Sequence, residues 1–267
     1  MKKKLKDLFL NSKNLSNKWE KYFNVYEECF ASFKDKKITF VEIGVHNGGS
    51  LSVWKNFFGE NSRIIGIDIN PECKKFEEDG FEIFIGNQSD PKFWETFFNK
   101  VGNVDIILDD GGHTNLDQIT TVASTVENIN DGGLLVIEDV HTSYIEIYNS
   151  RKKFSFVSFA KKIVDDINYT FDNTNKFNFS LNTYIYSTQF YESIVVFKID
   201  RDKCLQNKKV DNSGLNHNIE DQTWAGNEMN IAKFKKLTKK IKFIKLKTLT
   251  NYFKNRVNNK KLTKFFD

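Results

Sequence analysis

Short apolar runs alternate along the chain with stretches of helical spacing between about residues 37 and 200. The runs are rich in β-branched residues and apolar on both faces, which is typical of buried strands in a parallel sheet. They predict strands at 37–45, 63–69, 81–86, 104–110 and 134–139. The stretches between them predict helices at 50–58, 71–78, 91–100 and 116–128.

This alternation predicts crossover units and therefore a doubly wound, mostly parallel α/β sheet covered by helices on both faces. Residues 184–199, YIYSTQFYESIVVFKI, predict two more strands joined by a turn and added antiparallel at one edge. Ligands of such sheets bind beyond the carboxyl ends of the strands, near the point where the strand order reverses. We therefore expect the functional residues at these strand ends.

The first predicted strand runs into a glycine-rich loop, VEIGVHNGGS. Gly44, Gly48 and Gly49 let the backbone turn tightly and approach a ligand, although their spacing differs from that of dinucleotide binders. Asp68 ends the second strand, where a carboxylate can accept hydrogen bonds from a ribose diol. The pattern indicates a nucleoside-containing cofactor.

Carboxylates and a histidine follow the fourth and fifth predicted strands, in LDDGGHTNLDQ (108–118) and at the end of LLVIED. Asp110 would stand beside Glu138 and Asp139, and carboxylate oxygens suit a hard cation such as Mg²⁺. An imidazole ordinarily titrates near neutrality, so His113 is a candidate to accept a proton from a hydroxyl. The alternative is structural: Asp110 and its neighbour cap the following helix, and His113 makes a loop hydrogen bond.

Five blocks, VEIGVHNGGSL, IGIDINP, GNQSDPKFW, ILDDGGHTNLDQ and VIEDVHTSY, resemble in this order the macrocin and mycinamicin family of sugar O-methyltransferases. The resemblance covers roughly residues 38–200. It implies the seven-stranded, Rossmann-like class I methyltransferase sheet with S-adenosylmethionine (AdoMet) as cofactor. It also implies cofactor-binding roles for Glu42, Gly44, Ser50, Asp68, Gln88, Ser89 and Asp109. Asp110, Glu138 and Asp139 match the metal ligands of the family, and His113 matches its catalytic base.

Three functions remain open at this point. The first is a metal-assisted O-methyltransferase acting on a sugar hydroxyl, of a nucleotide-activated sugar or a surface-glycan sugar. The second is a catechol-type methyltransferase, which would share the fold and the metal. The third is a non-catalytic module that binds a membrane or nucleic acid. Lys161, Lys162 and Arg151 are candidates to meet the diphosphate of a nucleotide sugar.

Composition limits the setting of these motifs. The 267 residues, 39% of them hydrophobic, can form one sizeable core with an appendage. No apolar run of about 18 residues occurs, the N-terminus does not resemble a secretory signal, and three scattered cysteines predict no disulfide framework. We therefore expect a cytoplasmic protein with a helical segment at 1–36, a methyltransferase domain at 37–204, and a linker and tail at 205–267.

Charge is divided unequally along the chain. The net charge is +5, yet residues 231–267 carry +12 and residues 1–230 carry −7. Apolar residues recur every three or four positions in this tail, which predicts a basic amphipathic helix. The helix could dock on the body or on a second subunit of a homo-oligomer, or lie on the inner membrane surface. Nucleic acid is disfavoured because the tail has one arginine and few aromatic residues.

Overall fold

The computed structural model describes residues 4–148, 154–169, 179–205 and 207–215. The chain divides into two compact units, Met1–Lys208 and Lys209–Asp267. The predicted basic tail helix lies outside the described residues, so its existence and its partners stay predictions. So does the division into three segments that was predicted from the sequence. The following description concerns the first unit.

Seven strands form a single sheet in the order β3-β2-β1-β4-β5-β7-β6. They are β1 Thr39–Ile43, β2 Arg63–Asp68, β3 Glu82–Ile85, β4 Val104–Asp109, β5 Ile129–Ile137, β6 Ile185–Tyr191 and β7 Ile194–Ile199. The first five pair in parallel, and β7 and β6 are added antiparallel. The predicted doubly wound fold with an antiparallel edge is confirmed.

Strand β5 begins five residues before the predicted run. Its first part, INDGG, contains two polar residues and two glycines, and Gly132 has a φ of +84°. The register with β4 shifts within this part, between Val104 and Ile106. The apolar pattern alone therefore located only the inner part of β5.

Six α-helices flank the sheet in the described residues. They are α1 Leu5–Leu10, α2 Tyr22–Phe30, α3 Gly49–Phe58, α4 Pro91–Val101, α5 Asn115–Thr125 and α6 Phe156–Asn168. The predicted helix at 71–78 is a 3₁₀ segment, Pro71–Asp79, which begins after the capping side chain of Asn70. The helices α1 and α2 lie within the segment predicted to be helical, whereas α6 was not predicted.

Each face of the sheet carries its own hydrophobic core. One face packs against α1, α2 and α3, where the buried rings of Phe30, Phe40, Trp54 and Phe58 lie 5.0–6.2 Å apart. The other face packs against α4, α5 and α6. Aromatic pairs at these separations contribute beyond their buried area. The two cores fix the central strands, so the loops at their carboxyl ends stand on a rigid base.

Strand β1 pairs with β2 on one side and with β4 on the other. The strand order therefore reverses at β1, with β2 and β3 on one side and β4 and β5 on the other. Ligands of such sheets bind in the crevice that this reversal creates. Within the described part of the chain, no helix has the length and apolar character needed to span a bilayer.

Candidate active site

Gly44 lets the ends of β1, β2 and β4 meet. Its φ is +94°, and a Cβ at this position would lie 2.1 Å from the carbonyl oxygen of Asp110. Its N–H donates to the carbonyl of Ile67 at the end of β2. Only glycine meets both requirements without strain. The glycine of the first motif is therefore needed to pack the strand ends, independently of any ligand.

Glu42 stabilises the glycine-rich loop after β1 from the interior of the protein. Its carboxylate is fully buried and accepts hydrogen bonds from Ser50 Oγ at 2.6 Å and Trp54 Nε1 at 3.0 Å. Burial raises the pKa of Glu42 above its ordinary value. Ser50 and Gly44 line the cavity described below, whereas Glu42 lies behind them.

Asp68 ends β2 and faces the same cavity. One of its oxygens accepts the N–H of His46 at 2.9 Å, and the other accepts the N–H of Asn70 at 2.8 Å. These bonds fix the carboxylate but leave lone pairs for further donors. The position suits the predicted contact with a ribose.

Gln88 links the loop after β3 to the end of β4. Its Nε2 donates to both oxygens of Asp109 at 3.0 Å, and its Oε1 accepts the N–H of Gly112 at 2.8 Å. A Cβ on Gly111 would lie 1.9 Å from that Oε1, which explains a glycine at this position. Gln88 lines the cavity, but Asp109 and Ser89 do not.

Asp109 is buried beneath this loop. It is 1% exposed, and burial raises its pKa to about 6, although Gln88 and the N–H of Gly111 lower it in part. It does not line the cavity and is connected to it through Gln88 and Gly111. Its predicted role in cofactor binding stays a prediction, and the structure indicates that such a role would be indirect.

Asp110, His113 and Asp139 form a cluster that could hold a metal ion, with one ligand atom from each within 4.8 Å of the others. Nε2 of His113 lies 3.8 Å from Oδ1 of Asp110 and 3.6 Å from Oδ2 of Asp139. His113 and Asp139 have φ values of +57° and +54°. Such backbone strain is common at functional sites. Nδ1 of His113 is buried and has no hydrogen-bond partner among the described residues.

Glu138 is not part of this cluster, although it lines the same cavity. It is fully buried, and its carboxylate accepts bonds from Lys18 Nζ at 2.9 Å and from Tyr26 Oη at 2.5 Å. Lys18 also binds Oδ2 of Asp110 at 2.5 Å. Burial would lower the pKa of Lys18, but the charges of Glu138 and Asp110 outweigh it and raise that pKa above its ordinary value. Lys18 is therefore a cation.

The N-terminal segment supplies further groups that the motifs did not predict. Tyr22 Oη donates to Oδ1 of Asp139 at 2.5 Å and lies 2.8 Å from Ser193 Oγ, whose hydroxyl can donate to it. Ser193 lies in the turn between β6 and β7 and also bonds Nδ1 of His141. The ring of Trp19 meets His141 edge to face. His141 thus helps to hold the loop after β5.

A cavity of about 910 Å³ covers this edge of the sheet. Its walls include residues 15–19, 43–47, 67–69, 86–88 and 110–113, together with Glu138 and Asp139. The glycine loop and Asp68 lie on one side, and the cluster with His113 lies on the other. The cavity is large enough for two small molecules placed side by side.

Comparison with curated proteins finds relatives that are O-methyltransferases by name. The chain is 34% identical over 167 residues to 8-demethyl-8-alpha-L-rhamnosyl tetracenomycin-C 2'-O-methyltransferase of Streptomyces olivaceus, covering 58% of this chain and 43% of that protein. It is 33% identical over 126 residues to mycinamicin VI 2''-O-methyltransferase of Micromonospora griseorubida, covering 45% and 31%. The chain thus spans less than half the length of these curated relatives. No family model matches it.

Among solved structures, the chain is similar to the MycE methyltransferase from the mycinamycin biosynthetic pathway in complex with Mg and SAH. The TM-score is 0.68 at 24% identity, and the match covers 76% of this chain and 56% of that one. The resemblance predicted from the motifs is therefore confirmed: the chain is similar in sequence to sugar O-methyltransferases over part of their length, and it has the class I methyltransferase fold.

Proposed function

We propose that this chain transfers a methyl group from AdoMet to a sugar hydroxyl, with the help of a divalent cation. One observation carries the proposal: a single cavity joins the glycine loop and Asp68 to the cluster of Asp110, His113 and Asp139. Methyl transfer needs a donor and an acceptor in line, and a shared cavity at the strand ends can place them so. The relatives named above are sugar O-methyltransferases, which supports the same reaction.

The cofactor would occupy the side of the cavity formed by β1 and β2. Gly44 and Ser50 would face its methionine end, with Glu42 holding Ser50 in place. Asp68 would accept the ribose hydroxyls, and Gln88 and Ser89 would lie toward the adenine. Asp109 would act through Gln88, which it holds with two hydrogen bonds.

The residues present fit a hard divalent ion. Asp110 and Asp139 offer carboxylate oxygens close to one another at the edge of the cavity, as Mg²⁺ requires. Glu138 is the third predicted ligand, and it would have to exchange its bond with Lys18 for the ion. When bound, AdoMet supplies a methyl group on a sulfonium, and the ion supplies positive charge beside the acceptor oxygen.

His113 is the candidate base. Its Nε2 lies 3.8 Å from Oδ1 of Asp110 and 3.6 Å from Oδ2 of Asp139, at the edge of the cavity. The hydroxyl proton would pass to Nε2 as the oxygen forms its bond to the methyl carbon and the bond from carbon to sulfur breaks. The products would be the methyl ether and S-adenosylhomocysteine.

The acceptor is proposed to be a sugar rather than a catechol. The relatives act on sugars of glycosylated natural products by their names, and a structure of MycE contains mycinamycin VI. Lys161 and Lys162 are exposed on α6 and do not line the cavity, and Arg151 lies outside the described residues. The cavity thus does not favour a nucleotide-linked sugar over another glycoside.

Contact of the tail with a membrane or a second subunit remains a proposal from the sequence.

The test is methyl transfer from labelled AdoMet to a panel of deoxysugar glycosides, nucleotide sugars and catechols, with and without EDTA. We expect transfer to a sugar that EDTA abolishes and Mg²⁺ restores. Asp139→Asn removes a charged metal ligand, so it should lower kcat at least about a hundredfold with little change in AdoMet affinity. The variant should still fold, because asparagine tolerates the left-handed backbone at this position. Asp165→Asn, on the exposed face of α6, is the matched control. Full activity in excess EDTA would refute the role of the metal, and transfer to catechols alone would refute the acceptor.

A further inference from the structure

Lys18 occupies the place between two of the predicted metal ligands. Its Nζ lies 2.5 Å from Oδ2 of Asp110 and 2.9 Å from the nearer oxygen of Glu138, and its side chain is 3% exposed. An ion bound by Asp110 and Glu138 together would need the volume that this ammonium fills. Two cations cannot share that volume, and at neighbouring positions they would repel each other strongly in a buried site.

The segment that carries Lys18 has irregular backbone. Residues 12–19 form neither helix nor strand, and the two large apolar side chains beside Lys18, Leu15 and Trp19, are 74% and 62% exposed. The segment is tied down before Lys18, where Ser12 Oγ donates to the carbonyl of Gly49 at 2.8 Å. After Lys18 it enters α2 at Tyr22. A shift of Lys18 therefore requires no break in a helix, a strand or a hydrophobic core.

We propose that Lys18 is a resident cation that fills the carboxylate site in the metal-free protein and is displaced when a divalent ion binds. The ammonium neutralises the buried Glu138 and the partly buried Asp110, which would otherwise lie close together without a counter-charge. Entry of the ion releases Lys18, and the adjoining wall of the cavity, formed by residues 15–19, changes with it. Metal binding is thereby coupled to the shape of the cavity. The inference rests on the proposed metal-assisted function.

The first test measures Mn²⁺ affinity directly, by the electron paramagnetic resonance of free Mn²⁺, without cofactor or turnover. Lys18→Met removes the competitor, so we expect the Kd for Mn²⁺ to fall at least about tenfold. Lys18→Gln is the second variant, because it keeps a donor for Glu138 if the methionine variant folds poorly. Lys21→Met is the control, since Lys21 is on the same segment but pairs with the exposed Glu192.

The second test follows Lys18 itself. The wild-type protein is treated with acetic anhydride with and without saturating Mn²⁺, and the modified lysines are quantified by mass spectrometry. Acetylation of Lys18 should rise at least fivefold with the ion, whereas that of Lys21 should not change. This readout separates displacement from mere repulsion, because removing a nearby charge alone would also tighten Mn²⁺ binding.

Two results would overturn the inference and leave the proposed function standing. They are a Kd within twofold of wild type in both Lys18 variants, or Lys18 still protected at full Mn²⁺ occupancy. Absence of Mn²⁺ binding in the wild-type protein and both variants would overturn the metal proposal together with this inference.

Discussion

Asp109 should make the stability of this protein depend on pH in a way that one substitution removes. The side chain is 1% exposed, and burial raises its pKa from an ordinary 3.8 to about 6. Because the folded-state pKa lies above the unfolded value, the folded state binds the proton more tightly. The resulting stability is fully present below pH 3.8 and is lost as the pH rises through 6.

The size of this loss follows from the two pKa values. The difference between 3.8 and about 6 corresponds to about 3 kcal/mol of unfolding free energy once both states are ionised. About 1 kcal/mol of this is already lost at pH 4.5, because the unfolded chain is then mostly ionised. The measurable part between pH 4.5 and pH 8 is therefore about 2 kcal/mol.

The assay is urea unfolding of the wild-type protein and of Asp109→Asn across that pH range, without cofactor. Asparagine has nearly the same shape and cannot ionise, so the variant should gain about 2 kcal/mol relative to wild type between pH 4.5 and pH 8. Changed hydrogen bonds with Gln88 add an offset that does not depend on pH, and only the pH dependence of the difference is used. Asp165→Asn, which removes an exposed carboxylate, is the control. A difference that stays flat within about 0.5 kcal/mol would show that burial does not govern Asp109.

Two further predictions concern the strand ends. His113→Asn removes the imidazole while tolerating the φ of +57°, so kcat should fall by about 10²- to 10⁴-fold and the acidic limb of its pH profile should disappear. Survival of that limb would assign the base to another residue. Gly44→Ala places a Cβ 2.1 Å from the carbonyl oxygen of Asp110 at a φ of +94°, and should cost at least about 2 kcal/mol in urea unfolding. Gly80→Ala, at a φ of +87° with no atom within 4 Å, measures the backbone strain alone; an equal cost in both variants would refute the role of the contact with Asp110.

The strands and most helices could be predicted because the pattern of apolar residues within each segment is sufficient to indicate its secondary structure. The apolar runs at 63–69 and 104–110 match β2 and β4 within one residue at each end. A short run that is apolar on both faces is typical of a parallel strand with helices packed on both sides of the sheet. Once the sheet was predicted, the strand ends that carry Asp68 and Asp110 followed from its geometry.

The groups that surround Glu138 could not be predicted in this way. Lys18 and Tyr26 are 120 and 112 residues away in the chain, and nothing in their own neighbourhood marks them as part of a site. The sequence placed Glu138 with Asp139 because the two are adjacent at one strand end. The backbone turns into the left-handed region at Asp139, however, and the two side chains have different partners. Glu138 bonds Lys18 and Tyr26, whereas Asp139 bonds Tyr22 and faces His113.

The glycines of the two motifs allow close contact between the proposed cofactor side and the proposed acceptor side of the cavity. Gly44 is required because the backbone of Asp110 lies against it, and Gly111 is required because the side chain of Gln88 lies against it. Gln88 in turn holds Asp109, the neighbour of Asp110. A displacement of the loop after β1 would therefore act on Asp110 directly, and one of the loop after β3 would act through its neighbours Asp109 and Gly111. The proposed methyl transfer would tolerate little error in the alignment of donor and acceptor. Glycine at these two positions would preserve that alignment, because any side chain there would push the loops apart.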